Sequence, residues 1–129
     1  MGPSTILCDG RGGISAYISP RQDTRCGIGD CVREHEMSHR ADALRANRSI
    51  CRNADGRPYP LFTQVWNTGA AERIATEMRA YNVQLACLEN KLAAEACEGP
   101  CRDLLYDEIR GVEYRLLHRE FDHPLPRNY

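Results

Sequence analysis

Apolar residues recur along this chain at two different spacings. Over residues 5–18, TILCDGRGGISAYI, they alternate with small and polar residues around a glycine-rich turn. That pattern predicts a β-hairpin, whose edge could pair with an extended peptide. From about residue 30 the period lengthens. Val32, His35, His39, Ala43 and Ala46 fall on one stripe at helical spacing, while Arg33, Glu34, Arg40 and Arg48 lie off it. A first helix to about Ala46 follows, with Asp30, after Gly27 and Gly29, as its expected N-cap. Residues 47–68 carry Gly56, Pro58 and Pro60 and read as a long loop. A second helix is expected from about Ala70 to Ala96, with an apolar stripe of Ile74, Met78, Tyr81, Leu85, Leu88 and Leu92 and a stop at Gly99-Pro100. A third, from about Cys101 to Arg119, ends before Pro124 and Pro126. The expected fold is mainly α (α+β): three main helices and a small N-terminal hairpin, in one domain spanning 1–129.

Charge narrows the partners. The net charge is −1, with 18 acidic against 17 basic residues, so no broad basic surplus is available to neutralise phosphates, and nucleic acid is not expected as a partner. No apolar run approaches the roughly 18 residues of a membrane span. No charged and then apolar leader opens the chain, which suits a domain carried as cargo on a larger protein.

Seven cysteines, Cys8, Cys26, Cys31, Cys51, Cys87, Cys97 and Cys101, are many for this length. The short spacings nearest to the knuckles of a structural zinc site, Cys97-x₃-Cys101 and Cys26-x₄-Cys31, resemble neither a zinc ribbon nor a finger. Disulfides in an oxidising compartment are the better reading, against buried reduced thiols, with the pairing open and one cysteine left over.

The chemistry concentrates in His35-Glu36-Met37-Ser38-His39. On a helix, residues four apart share a face, so the two imidazoles project side by side as two ligands of one tetrahedral zinc would. Glu36 is rotated off by one position, where its carboxylate can take a proton from an activated water and pass it to a leaving amine. A catalytic zinc needs a third ligand. Glu77, at the edge of the second helix's apolar stripe, faces the first helix better than Glu72, which points toward Arg73, Arg79 and solvent. His118 and His123 flank the end of the third helix and read first as surface histidines; His123 could also reach the cleft. Tyr81, one turn after Glu77, is either a core aromatic or a hydroxyl placed near the oxyanion. Asp42 is either a second-sphere partner of an imidazole or one arm of a surface ion pair.

HEMSH followed on a later helix by TEMRAYNVQLACL resembles the gluzincin arrangement of zinc metallopeptidases. More narrowly, ILCDGRGGI, CGIGDCVREHEMSHRADAL and EMRAYNVQLACL resemble small cysteine-containing HExxH domains at the C-termini of bacterial polymorphic toxins, including type VI secretion effectors. The resemblance spans roughly residues 5–92. It implies a minimal zincin-like fold, with Zn²⁺ held by His35, His39 and Glu77 and with Glu36 as base. It further implies a peptide-bond substrate, in protein or in cell-wall peptide, delivery into the periplasm of a rival cell, and a cognate immunity protein. Two alternatives stay open: a non-enzymatic binding module with a structural metal, and a zinc amidase or esterase on a non-peptide substrate.

Overall fold

A computed structural model describes residues 4–65, 70–95 and 99–121. Its elements are β1 (Thr5–Cys8), β2 (Ile14–Tyr17), a 3₁₀ turn (Arg25–Gly27), α1 (Ile28–Ala46), α2 (Ala70–Glu95) and α3 (Pro100–His118). The fold is mainly α with a minor β part, as the spacings predict. β1 and β2 pair antiparallel, from Thr5 opposite Tyr17 to Cys8 opposite Ile14. The turn between them is tied by Asp9, whose Oδ1 accepts from the backbone N–H of Arg11 at 2.7 Å and of Gly13 at 2.9 Å. Gly12 is required there by its backbone, and a side chain would also displace the Arg52 guanidinium. Its φ is +90°, and a Cβ would lie 2.3 Å from the Arg52 guanidinium.

The loop after α1 returns to the hairpin. Cys8 N–H donates to Thr63 O at 2.8 Å and Phe62 N–H to Cys8 O at 3.0 Å, with a further bridge between Leu7 and Gln64. The outer edge of β1 is thereby used by the chain itself, so the hairpin does not offer that edge to a peptide. On the other side Arg40 of α1 donates from Nε to Ile14 O at 3.0 Å.

Two apolar clusters share α1. Ile28, Cys31 and Val32 pack with Leu88, Leu105, Ile109 and Val112 into a three-helix core. About three to four turns on, Ala43 joins Ile6, Cys8, Ile14 and Cys51 under the hairpin. The buried stripe of α1 is continuous between them but turns polar, with His35, Glu36 and Asp42 all buried. Ala46, expected on that stripe, is exposed in the last turn.

Contacts fix α2 antiparallel to α1. Asp30 meets Lys91, Cys31 is bonded to Cys87, His35 meets Tyr81 and His39 meets Glu77. Numbers rise on one helix as they fall on the other. The α2 stripe holds for Leu88, which is fully buried, and for the partly buried Tyr81, Leu85 and Leu92, but Ile74 is 40% exposed. Thr76, Ala80 and Gln84 are buried in its place, because one face of α2 meets α1 as well as the apolar core.

Two helix starts differ from expectation. α1 begins at Ile28 rather than after Asp30, because Gly27 adopts the left-handed conformation (φ 82°) that a capping side chain would resist. Asp30 instead sits in the first turn, where a negative charge suits the helix dipole, and pairs with Lys91 at 3.0 Å. Gly99-Pro100 opens α3, with proline in the first turn where its missing N–H costs nothing.

Three disulfides, Cys8–Cys51, Cys26–Cys101 and Cys31–Cys87, pair all six described cysteines. They belong to a chain that matures under oxidising conditions. Cys97 and His123 lie outside the described residues. Among the described residues, no helix is long and apolar enough to cross a membrane.

One half-buried carboxyl works against this fold. Burial raises the Glu108 carboxyl on α3 above its usual value of 4.5, and the nearby charges of Asp23 and Asp107 raise it further. The native state therefore holds this proton more tightly than the unfolded chain, and stability falls as pH climbs above 4.5. Glu108→Gln is expected to raise the thermal midpoint by a few degrees at neutral pH. The gain should vanish once the pH is low enough to protonate the carboxyl in both states. A midpoint that drops at neutral pH would mean the charge is compensated.

Candidate metal centre

The polar segment of α1 faces α2 where two imidazoles and a carboxylate meet. His35 and His39, four residues apart on α1, bring their Nε2 atoms to 3.2 Å from each other. Glu77 comes from α2, with Oε1 3.3 Å from His35 Nε2 and in direct contact with His39 Nε2. All three donor atoms lie within 4.8 Å of one another. Side-chain exposure is 9% for His35, 12% for His39 and 18% for Glu77, so little water screens the group.

The spacing fits a metal. Ligands about 2.0–2.1 Å from a tetrahedral ion stand roughly 3.3 Å apart. The His35–His39 and His35–Glu77 separations, at 3.2 and 3.3 Å, match that edge. Three electron-pair donors directed at one point repel unless a cation lies between them, and a proton can bridge only two. The group can therefore hold a metal ion.

Charge follows the same geometry. Burial alone would raise the Glu77 carboxyl, but its contacts with His35 and His39 outweigh that and hold it at about 2. Burial likewise opposes protonation of His39, and the neighbouring carboxylate of Glu77, then those of Glu36 and Asp42, more than offset it and raise its pKa. With no metal, the site attracts a proton for the same reason it attracts a metal.

Glu36 stands beside the cluster without belonging to it. Its Oε1 is 3.7 Å from His35 Nε2, the residue is 3% exposed, and its Oε2 is buried with no hydrogen-bond partner. Burial raises this carboxyl; the two imidazoles lower it and Glu77 raises it again. A buried carboxylate oxygen without a partner is costly, and most of the other unpartnered buried side-chain atoms among the described residues, on His35, His39 and Glu77, belong to the same cluster.

Tyr81 packs its ring edge-on against His35, centroids 4.3 Å apart, and stacks on Phe121 at 5.5 Å, with the Arg115 guanidinium 5.8 Å from its centre. It forms an aromatic wall beside the first imidazole.

Asp42 takes the ion-pair role rather than the imidazole one. Its oxygens meet Arg45 at 2.6 Å and Arg79 at 3.1 Å, tying α1 to α2, while Nδ1 of both histidines is buried without a partner. His118 is exposed and packs on Tyr114, on the last turns of α3. A cleft of about 260 Å³ opens between the last turns of α1 and the first turns of α2, lined by Asp42, Arg45, Glu72, Thr76 and Arg79 and by none of the three ligand residues. Glu72 is thus at the cleft and not in the ligand set.

Sequence reasoning missed the Cys31–Cys87 bond that sets α1 against α2. A signal existed: Cys31 lies one turn before His35 on the same stripe. Nothing local pointed to its partner, or to Arg79 as the partner of Asp42. No family model, curated protein or solved structure matches the chain.

Proposed function

We propose that the protein is a zinc-dependent hydrolase of peptide bonds, in protein or in cell-wall peptide, acting as an antibacterial effector in the envelope of a target cell. The observation that carries this reading is one constellation. Three ligand atoms converge from two helices, and a fourth group, the buried and unpartnered Glu36 carboxylate, lies next to them outside the ligand set. Two histidines and one carboxylate leave a tetrahedral ion one free position, the pattern of catalytic rather than structural zinc. Bound there, zinc would supply Lewis-acid polarisation of a carbonyl and a water acidic enough to attack it.

The chain's residues would do the rest. His35 and His39 set the position of the ion along α1, and Glu77 fixes it against α2. Glu36 accepts the proton of the attacking water and returns it to the departing amine, a transfer worth roughly 10²–10⁴ in rate. Tyr81, beside His35, is the candidate to face the developing oxyanion.

Two features favour this reading over its rivals. Cys31–Cys87 already clamps α1 to α2 next to the cluster, so a metal is not needed to hold the helices together. Ferrous iron also uses two histidines and one carboxylate, but it persists poorly where disulfides form. The same disulfides suit delivery into a periplasm, and the resemblance of the HEMSH segment to secreted toxin domains adds a cognate immunity protein as partner.

Elemental analysis of the oxidised protein is the direct test. One zinc per chain is expected in the wild type and none in His39→Ala. The zinc form should hydrolyse unfolded protein or purified peptidoglycan. Chelation should stop hydrolysis while the far-ultraviolet circular dichroism persists. Iron in the site, folded wild type that takes up no metal, or a fold that collapses on chelation would each overturn the reading.

A further inference from the structure

At the hairpin end of the molecule, away from the three-helix core, the loop after α1 presents Tyr59, Leu61 and Phe62 at 38%, 55% and 57% exposure. The other exposed large apolar residues, such as Met37, Ile74 and Val83, stand singly on helices. These three form a tip, and the tip is built rather than slack. Tyr59 N–H donates to Cys51 O at 2.8 Å, Phe62 N–H to Cys8 O at 3.0 Å and Thr63 N–H to Pro60 O at 3.2 Å, while Cys8–Cys51 ties the loop's base to β1. Leu61 rests on the hairpin turn, where a Cβ on Gly10 would come within 3.3 Å of its backbone nitrogen.

Phe62 is the sharpest feature. Its φ is +70°, a conformation in which bulky residues are strained and glycine is not. The fold keeps an aromatic there and then turns it to solvent, where nothing within the described chain uses it.

Cations surround the tip. Arg11 lies on the hairpin turn, and Arg52 and Arg57 on the adjoining loop; Arg52 donates to Arg11 O at 3.1 Å and to Gly56 O at 2.8 Å. Among the described residues neither Arg52 nor Arg57 forms an ion pair. Asp9 on the hairpin turn and Asp55 on the loop offset part of this charge, and three arginines against two acids leave a positive excess around the apolar tip. That matches an anionic bilayer, which takes the apolar side chains into its interfacial layer and the guanidinium groups at its phosphates.

Size favours the bilayer over a protein partner. At roughly 200 Å² per large side chain the three expose on the order of 300 Å², well short of the ~800 Å² that each side of a specific protein interface buries. We infer that the Tyr59–Phe62 tip is a membrane-docking wedge that binds anionic lipid surfaces. This assignment is independent of the metal centre.

Vesicle co-sedimentation of the intact oxidised protein tests it, with phosphatidylcholine vesicles against equimolar phosphatidylcholine–phosphatidylglycerol vesicles. Binding to the anionic vesicles at least ~10-fold tighter is expected, weakening with salt, and falling about fivefold for Arg57→Gln. Phe62→Gly relieves the backbone strain, so it should keep or raise the thermal midpoint while losing most of the binding. Leu61→Ser with Phe62→Ser should abolish it. Three results would overturn the inference: no preference between the vesicles, binding unchanged in these folded variants, or no vesicle binding together with self-association that the same variants remove.

Discussion

Glu36→Gln is expected to leave one zinc per chain bound and to lower hydrolysis by roughly 10²–10⁴. The two halves of that result have separate physical origins. The ligand atoms belong to His35, His39 and Glu77, and Glu36 approaches only as far as 3.7 Å from one of them, so an isosteric amide disturbs neither the distances nor the packing around the metal. An amide, however, cannot accept a proton at neutral pH. The replacement also removes an ionisable oxygen buried with no partner, so the variant should unfold at a temperature equal to or above that of the wild type. A more stable, metal-loaded and inactive protein is the signature of a group kept for chemistry at a cost in stability. Zinc titration, a melting curve and a turnover assay on the same preparation check all three. Full activity in the metal-loaded variant would remove Glu36 from the mechanism. Loss of the metal would instead mean that it ligates or holds the ligands.

Removing the Cys31–Cys87 bond, as Cys31→Ala with Cys87→Ala, is expected to cost about 4 kcal/mol of stability from chain entropy for a 56-residue separation. It should also weaken zinc binding by at least ~10-fold. The second effect is the diagnostic one. Cys31 precedes His35 by one turn, and the bond fixes how far α1 slides along α2, hence how Glu77 meets the two imidazoles. Cys8–Cys51 provides the control, because it spans a similar 43 residues but sits under the hairpin, in the cluster that does not contain α2. Its removal, as Cys8→Ala with Cys51→Ala, should cost a similar amount of stability and leave zinc affinity nearly unchanged. Denaturant unfolding combined with competitive chelator titration separates the two. Equal loss of metal affinity in both double variants would show that general loosening, and not the α1–α2 register, controls the site.

The amino-acid order alone settled a good deal. Period-two alternation around Gly10–Gly13 and period-3.6 stripes on the later segments specify a hairpin and three helices, since side-chain direction along one element depends only on local geometry. For the same reason His35 and His39 were bound to share a face, with Glu36 one position off. A cysteine-rich composition pointed to an oxidising compartment. Which distant groups meet is not a local property. Glu77 lies more than thirty residues from the histidines, and three acids on two helices, Asp42, Glu72 and Glu77, were all available to an ion.

Helical phase alone favoured Glu77 over Glu72, but the meeting itself rests on the antiparallel packing of α2 on α1, held by the Asp30–Lys91 and Asp42–Arg79 ion pairs and the Cys31–Cys87 bond. That packing sent Glu77 to the imidazoles, left Glu72 at the cleft and occupied Asp42 with arginines. The exposed Leu61–Phe62 tip was illegible for the same reason. An apolar pair in a proline-rich loop looks alike whether it folds inward or not, and its direction was set by hydrogen bonds to Cys8 more than fifty residues away.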